Sequence, residues 1–521
     1  MAYEVRTNSP GCVFDRSGVR PMDTDGEATA HRTDGPGPCA TMAPVRRLTI
    51  TLLGLTGGVL LAVAAWLGGA KPDTDLKSNL QMALSHPDTA AAIGVWAVGL
   101  AALGVAWWHA RKAAWTLRAT LATAALWAAP LLFAPPLGSR DLYAYACQGA
   151  TVHGGLNPYE VGSAALPCPW LDSVSLIWHD TPAPYGPVWV LLAGAAVAVA
   201  GGNLAAAMTV LRIGALLGVL AMAYTIPRLA ARTGLDPVRA TWLGLASPLL
   251  MVHVVSGGHN DALMIGLALL GLLAAVNGRG LLSGAALGAA VAVKATAGIA
   301  LPFAVLLLMR DRSFREFLRR AWAPVAGTIA VFAVITLASG LRLGWLSGLV
   351  SSGDSVQWTS PPTAVGMTVG AVSKALGHDV TTGAIEVCRI LGWIALAVAL
   401  VAIWLHAFRR ALDASAILRH LTWALIAVVA LSPVFHPWYV LWPLAVLAVS
   451  VAPGRLRTAA GVVAVALPAL TLPDGDNLAL RTKLAGAVVM TALVITTIVL
   501  GLRRLRGGLG RRAALGPRRE P

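Results

Sequence analysis

The sequence is poor in charge: only 12% of its 521 residues are charged, against about a quarter in soluble domains. With 57% hydrophobic residues and a mean hydropathy of +0.70, we expect a polytopic membrane protein and not a large soluble core. The net charge of +16 does not indicate nucleic acid, because basic residues also gather in short loops on one side of a bilayer. Membrane lipids are therefore an expected partner, and nucleic acid is not.

Cysteine is also scarce, and its five positions show no CxxC or Cys/His spacing typical of a metal site. We therefore expect no metal ion, and nothing in the sequence calls for another cofactor. Cys147 and Cys168 fall in the same predicted loop. If that loop lies outside the cytoplasm, a disulfide and two free thiols are both compatible with the sequence.

A signal-peptide layout is absent, since the first apolar run begins near Leu48 behind Arg46–Arg47. The polar residues 1–44 are expected to form a disordered cytoplasmic tail. A transmembrane domain follows over 45–502, and a basic cytoplasmic tail over 503–521. No internal repeat is apparent, whereas inverted-repeat transporters usually show matching interrupted segments in their two halves.

Apolar runs predict an all-α transmembrane bundle of about 13 to 14 spans, several of them shorter than the roughly 20 residues of a perpendicular helix. The runs lie at 48–69, 89–108, 114–134, 203–227, 238–255, 259–276, 281–293, 296–309, 322–341, 384–407, 417–432, 437–452, 456–473 and 480–502.

The apolar segment 185–202 decides the topology. It reaches about 27 Å as a helix, which is marginal for a bilayer core of about 30 Å. If it spans, eight arginines lie outside; if it lies along the outer interface, all eight face the cytoplasm. They are Arg228, Arg232, Arg239, Arg310, Arg312, Arg315, Arg319 and Arg320. The positive-inside rule favours the second map, with both termini cytoplasmic and the loop 135–187 outside the cytoplasm.

That loop opens with "SRDLYAYACQG", in which Asp141 follows the apolar run 114–134 and the pair Pro135–Pro136. Asp141 is either a solvated or helix-capping acid, or a base that takes the proton of an attacking sugar hydroxyl. Arg140 is suited to a lipid phosphate or to pairing with Asp141. Aromatic residues crowd the loop and suit both sugar faces and the membrane interface.

The motifs "SRDLYAYACQG", "GLNPYEVG" and "WHDTPAPYGPVW" resemble the first outer loop of actinobacterial polyprenol-phosphomannose-dependent α-1,6-mannosyltransferases, which have the multi-spanning GT-C fold. The resemblance implies that Asp141 is the catalytic base. It also implies that 135–202 is a catalytic loop followed by a juxtamembrane helix. The residues of these motifs expected to bind substrate are Arg140, Tyr143, Tyr145, Gln148, Asn157, Tyr159, His179 and Tyr185.

Two later motifs, "HNDALM" and "PWYVLW", resemble further stretches of the same family. Asn260 and Asp261 are either helix N-caps or substrate contacts, with His259 beside them. The second motif is either an interfacial aromatic belt or a site, with His436 and Trp438 as its functional members. Lys294 either snorkels to the headgroups or, as in related GT-C enzymes, neutralises the donor's lipid phosphate.

The family resemblance implies mannosyl transfer from polyprenyl-phosphate mannose to a lipid-anchored α-1,6-mannan on the outer face of the plasma membrane. This reaction belongs to lipomannan and lipoarabinomannan assembly and proceeds by inverting single displacement. The sequence has no DxD-like nucleotide–metal signature in the candidate site. Two alternatives are a transporter or lipid-linked sugar flippase, for which Arg212 is the main mid-span charge, and a GT-C transferase that uses an arabinofuranosyl donor.

Overall fold

The computed structural model describes residues 38–71, 87–113, 115–346, 355–411 and 413–514. Most of the expected N-terminal tail, residues 1–37, and the last residues of the basic tail, 515–521, lie outside this part of the chain. The helices are α1 Pro38–Gly68, α2 Pro87–Ala110, α3 Leu117–Leu132, α4 Asp141–His153, α5 Pro187–Ala200, α6 Leu204–Arg232, α7 Pro237–Gly244, α8 Pro248–Ser256, α9 Asp261–Val276, α10 Gly280–Val291, α11 Ala295–Leu308, α12 Phe314–Ser339, α13 Pro361–Ala375, α14 Thr381–Arg410, α15 Ala414–Leu431, α16 Pro437–Ala448, α17 Arg455–Ala466 and α18 Lys483–Ala514.

The all-α polytopic fold is confirmed. Within the described ranges, seven helices are long and apolar enough to cross a membrane, or eight if α7 and α8 form one bent span. The expected 13 to 14 spans, about one per apolar run, would require the shorter apolar helices to cross as well. Each predicted run contains a helix, whereas α13 lies outside the predicted runs. Ser360 starts that helix by accepting a hydrogen bond from the Thr363 N–H.

The helices pack both on chain neighbours and on helices further along the chain, and the bilayer explains the surfaces that they leave open. α1 packs against α2 and α3, α6 against α9, α9 against α10, α10 against α12, and α13 against α14 and α18. Only 17% of the apolar window of α14 and 11% of that of α18 is buried inside the protein. Exposed apolar faces of this extent match helices whose other side is covered by lipid.

Three local features shape the outer-loop region. α3 ends at Leu132, before the Pro135–Pro136 pair, as expected. The segment 185–202 forms α5, which has Pro187 at its first position and ends at Gly201 in the left-handed conformation. With 14 residues, α5 is about 21 Å long, so the prediction that it does not span retains its physical basis.

α7 and α8 are bent by 42° at Ser247–Pro248. Most of α8 is a π-helix, Met251–Ser256, which places the fully buried His253 beside the outer loops. π-Helical turns inside α-helices frequently occur at functional sites. Arg212 of α6 donates hydrogen bonds to the carbonyls of Leu132, Ala134 and Ser256, so this mid-span charge joins helix ends.

Candidate active site

Asp141 is the first residue of α4, near the start of the loop 135–187. Its backbone N–H donates to Ser139 Oγ at 3.1 Å, and the N-cap position belongs to Arg140. The Asp141 side chain is 16% exposed, and its Oδ2 lies 3.4 Å from Nδ1 of the fully buried His259. The Asp141 carboxylate therefore faces the buried imidazole of His259, and one edge of the carboxylate contacts solvent.

The surroundings of Asp141 keep it ionised. Burial alone would raise its pKa, but His259, and then the charges at His436 and Lys294, outweigh burial and hold the pKa below its usual value. His436 is itself buried, and burial lowers its pKa to about 4. At neutral pH, Asp141 is therefore a carboxylate able to accept a proton.

An aromatic stack supports the imidazole that contacts Asp141. The rings of His259 and Trp438 are stacked with centroids 3.8 Å apart, and those of Trp438 and His436 with centroids 4.5 Å apart. The ring of His253 lies 5.3 Å from that of Trp438 and 6.0 Å from that of His259, measured between centroids. The three rings form one cluster, which helps to fix the His259 ring and, through it, the position of the carboxylate.

A buried ion pair lies beside this stack at the start of α9. Asp261 is fully buried, and its Oδ1 accepts hydrogen bonds from Lys294 Nζ at 2.9 Å and from Trp442 Nε1 at 2.6 Å. Lys294 Nζ also lies 4.8 Å from the ring centre of Tyr439, 5.2 Å from that of Trp442 and 6.0 Å from that of Tyr185. The Lys294 ammonium therefore pairs with Asp261 and lies among three aromatic rings. Its side chain does not simply extend to the lipid headgroups.

Aromatic side chains form the wall between α4 and α5. Tyr145 packs edge-on against Tyr185 and Trp189, with ring centroids 5.1 Å apart in both pairs. Burial raises the pKa of Tyr145 and of Tyr185 well above the usual value, so both hydroxyls stay protonated. Such hydroxyls can donate hydrogen bonds to sugar or phosphate oxygens.

Two of the expected substrate-binding residues instead join loops. Arg140 is 6% exposed, and its guanidinium donates to the carbonyls of Asp474, Lys71 and Ser173. Tyr143 Oη donates to the carbonyl of Ala70 at 2.5 Å. These bonds fix the start of α4 to distant segments of the chain, so removal of Arg140 should disturb loop geometry.

The remaining loop residues have mainly local partners. Tyr159 Oη donates to the carbonyl of Tyr185, Asn157 Nδ2 donates to Glu160 Oε1, and His179 Nε2 lies 3.3 Å from the carbonyl oxygen of Val174. Gln148 is buried in α4. Among the described residues, no hydrogen bond or ion pair links Asp141 to Asn157, Tyr159, His179 or Gln148.

A disulfide joins Cys147 of α4 to Cys168 of the loop that follows it. The two cysteines are 21 residues apart in the sequence, and closing a loop of this length contributes about 3 kcal/mol to stability. The bond fixes the loop against the helix that carries Asp141.

The side chain of Asn260 does not cap α9, although it occupies the N-cap position. It is fully buried, and neither its nitrogen nor its oxygen forms a hydrogen bond with a described residue. A buried amide normally has partners, so this group is available to a polar ligand or to water.

Sequence reasoning missed three residues of the site: His253, Tyr439 and Trp442. The last two lie in the "PWYVLW" motif, where their belt-like composition concealed the contacts with Lys294 and Asp261. His253 lies in an apolar run, and the only sign of a functional role in the sequence was a single polar residue within that run. Among the described residues, no group of three or more His, Cys, Asp or Glu side chains could hold a metal ion.

Comparison with known proteins identifies relatives over most of the chain. The family model for the N-terminal domain of alpha-(1->6)-mannopyranosyltransferases matches residues 51–310, and that for the MptB C-terminal domain matches 362–501. Alpha-(1->6)-mannopyranosyltransferase A of Mycobacterium tuberculosis is 34% identical over 82% of this chain and 84% of its own length. A second alpha-(1->6)-mannopyranosyltransferase of that organism is 30% identical over 87% of both chains. Alpha-(1->6)-mannopyranosyltransferase B of Corynebacterium glutamicum is 29% identical over 88% and 83%.

Proposed function

The chain belongs to the alpha-(1->6)-mannopyranosyltransferase family, and from that premise we propose that it transfers mannose from polyprenyl-phosphate mannose to an α-1,6-mannan, with Asp141 as base. The observation that carries the proposal is the partly exposed Asp141 carboxylate, held ionised beside His259. A mannosyltransferase needs such a group because the acceptor hydroxyl loses its proton as it attacks.

The proposed reaction is one displacement. The acceptor oxygen attacks the anomeric carbon of the donor as the bond from that carbon to the phosphate oxygen breaks. The proton of the hydroxyl passes to Asp141, and the polyprenyl phosphate leaves with the bonding electrons. Attack opposite a β-linked phosphate gives the α-linked product, which agrees with the linkage in the names of the relatives.

Lys294 supports a phosphate-linked donor. Its ammonium has three donors, and Asp261 occupies one of them. The other N–H groups lie among Tyr439, Trp442 and Tyr185, where a phosphate would gain a charge-assisted hydrogen bond in poorly hydrated surroundings.

The transporter alternative has less support. Arg212, its main mid-span charge, is bound to three backbone carbonyls that end neighbouring helices. These hydrogen bonds account for the presence of Arg212 through helix packing, so its charge does not require a transported ion.

A transfer assay tests the donor directly. We expect the purified full chain to elongate a defined α-1,6-linked mannosyl acceptor when supplied with radiolabelled polyprenyl-phosphate mannose. Polyprenyl-phosphate arabinofuranose, supplied in parallel, should give no labelled product. Labelling from the arabinose donor alone would contradict the proposed donor, and labelling from neither donor would contradict the proposed class of donor.

The site is proposed to face outside the cytoplasm, with both termini inside. The eight arginines of the two groups Arg228–Arg239 and Arg310–Arg320 support this map through the positive-inside rule. The Cys147–Cys168 disulfide adds independent support, because disulfides persist mainly in oxidising compartments.

Cysteine labelling should place 135–187 and the loop before α12 on opposite sides. In a variant in which Cys12, Cys39 and Cys388 are replaced by serine, we expect Ala164→Cys to react with a membrane-impermeant maleimide in whole cells. Arg315→Cys should react only after permeabilisation. Both positions are exposed on the protein, so burial would not prevent the reaction. Labelling of both from the same side would contradict the map.

A further inference from the structure

A basic cavity lies at the end of the bundle opposite Asp141. Its lining is Tyr224, Arg228, Ala231, Arg232, Leu273, Val276, Asn277 and Arg279, and its volume is about 670 Å³. α9 carries Asp261 at one end and borders the cavity at the other. With 16 residues, α9 separates the two places by about 24 Å, so the cavity is distinct from the candidate active site.

Charge in this cavity is of one sign. Arg228, Arg232 and Arg279 line it, and none of them forms an ion pair with an acid in the described part of the chain. Arg228 is already positioned: it donates to the carbonyl of Tyr224 at 2.8 Å, and its guanidinium lies 3.7 Å from the centre of that tyrosine's ring. Three guanidinium groups around one space match the oxygens of a phosphate group.

The cavity also has an apolar side, formed by Ala231, Leu273 and Val276. α10 begins at Gly280, directly after Arg279, so the unpaired N–H groups of its first turn lie next to the cavity. A phosphate that carries acyl chains satisfies both features, because its headgroup meets the arginines while its chains follow the apolar side into the bilayer. A free phosphate would leave the apolar side without a partner.

From this arrangement we propose that the cavity between the ends of α6 and α9 binds the headgroup of an anionic phospholipid. The cavity is open, since most of its lining residues are exposed, and its three arginines can therefore meet a headgroup at the membrane surface. Basic pockets between transmembrane helices bind lipid headgroups in this way. The site is separate from the mannosyltransferase reaction and does not depend on the identity of the sugar donor.

Binding of short-chain lipids to the purified full chain tests the proposal. Dioctanoyl phosphatidylglycerol and dioctanoyl phosphatidylcholine serve as probes, and native mass spectrometry measures their dissociation constants. We expect the phosphatidylglycerol to bind more tightly. In the variant R228Q/R232Q/R279Q, its affinity should fall by roughly 100-fold, since each arginine near anionic lipid contributes about a factor of five.

The matched control is R315Q/R409Q/R410Q, which removes three exposed arginines away from the cavity. It should retain the affinity of the unaltered protein, and both variants should keep its melting temperature in neutral detergent. Equal losses in the two variants would overturn the proposal, because diffuse charge would then explain the binding. Equal affinity for phosphatidylcholine would overturn it as well. Displacement of the lipid by millimolar inorganic phosphate would overturn the assignment to a lipid.

Discussion

Asp141→Asn should give a folded, membrane-inserted protein whose transfer rate is lower by about 10²- to 10⁴-fold. Asparagine keeps the shape of the side chain at the start of α4 but cannot accept the proton of the acceptor hydroxyl. Because Lys294 and its aromatic cage are unchanged, the affinity for the lipid-linked donor should be largely retained. The measurement is a steady-state assay of mannosyl transfer at saturating donor, with donor binding measured separately.

Asp180→Asn is the matched control, since Asp180 is an exposed acid of the same loop. It should transfer mannose at nearly the unaltered rate. If Asp141→Asn kept near-normal transfer, Asp141 would not be the base. Asp261, the other acid of the site, would be the next candidate, and a large loss in the Asp180 variant would point to that residue.

The pH profile separates a base from a merely structural acid. Since His259 helps to hold the pKa of Asp141 below its usual value of about 3.9, the base stays ionised on acidification from neutral pH to about pH 5. Hence protonation of Asp141 should not lower kcat/KM over that pH range. His259→Asn removes the stabilising contact while burial remains, so the pKa of Asp141 should rise and the acid limb should move to higher pH.

Lys294→Met should destabilise the protein by roughly 3 to 5 kcal/mol, because Asp261 is left as a buried carboxylate without its cation. Trp442 remains as one hydrogen-bond donor, which is insufficient for a buried charge. The loss is measured as a lower melting temperature and midpoint of denaturation. An unchanged melting temperature would contradict the importance of the pair.

The double variant Lys294→Met/Asp261→Asn separates stability from donor binding. It replaces the ion pair with neutral side chains of similar size, so most of the stability should return. If Lys294 also binds the donor phosphate, KM for polyprenyl-phosphate mannose should remain about 10- to 100-fold higher, the effect of losing one charge-assisted hydrogen bond. Return of a normal KM would leave Lys294 with a structural role alone.

Local sequence determined the class of the fold. Whether a segment forms a helix in a membrane depends on its own hydropathy, so the apolar runs predicted the helices to within a few residues at most ends. The same local patterns identified the family, because "SRDLYAYACQG" and the later motifs are contiguous.

Only the tertiary structure decided what each polar residue touches. The hydrogen bond between Trp442 and Asp261 joins residues 181 positions apart, and the contact of His259 with Asp141 likewise connects separate helices. The sequence left open whether Arg140 binds a phosphate or pairs with Asp141, and the fold directs it to three backbone carbonyls. It also left open whether Cys147 and Cys168 pair, and the fold joins them. The physical reason is that a buried polar group must find its partner wherever helix packing places one, and packing depends on the whole chain.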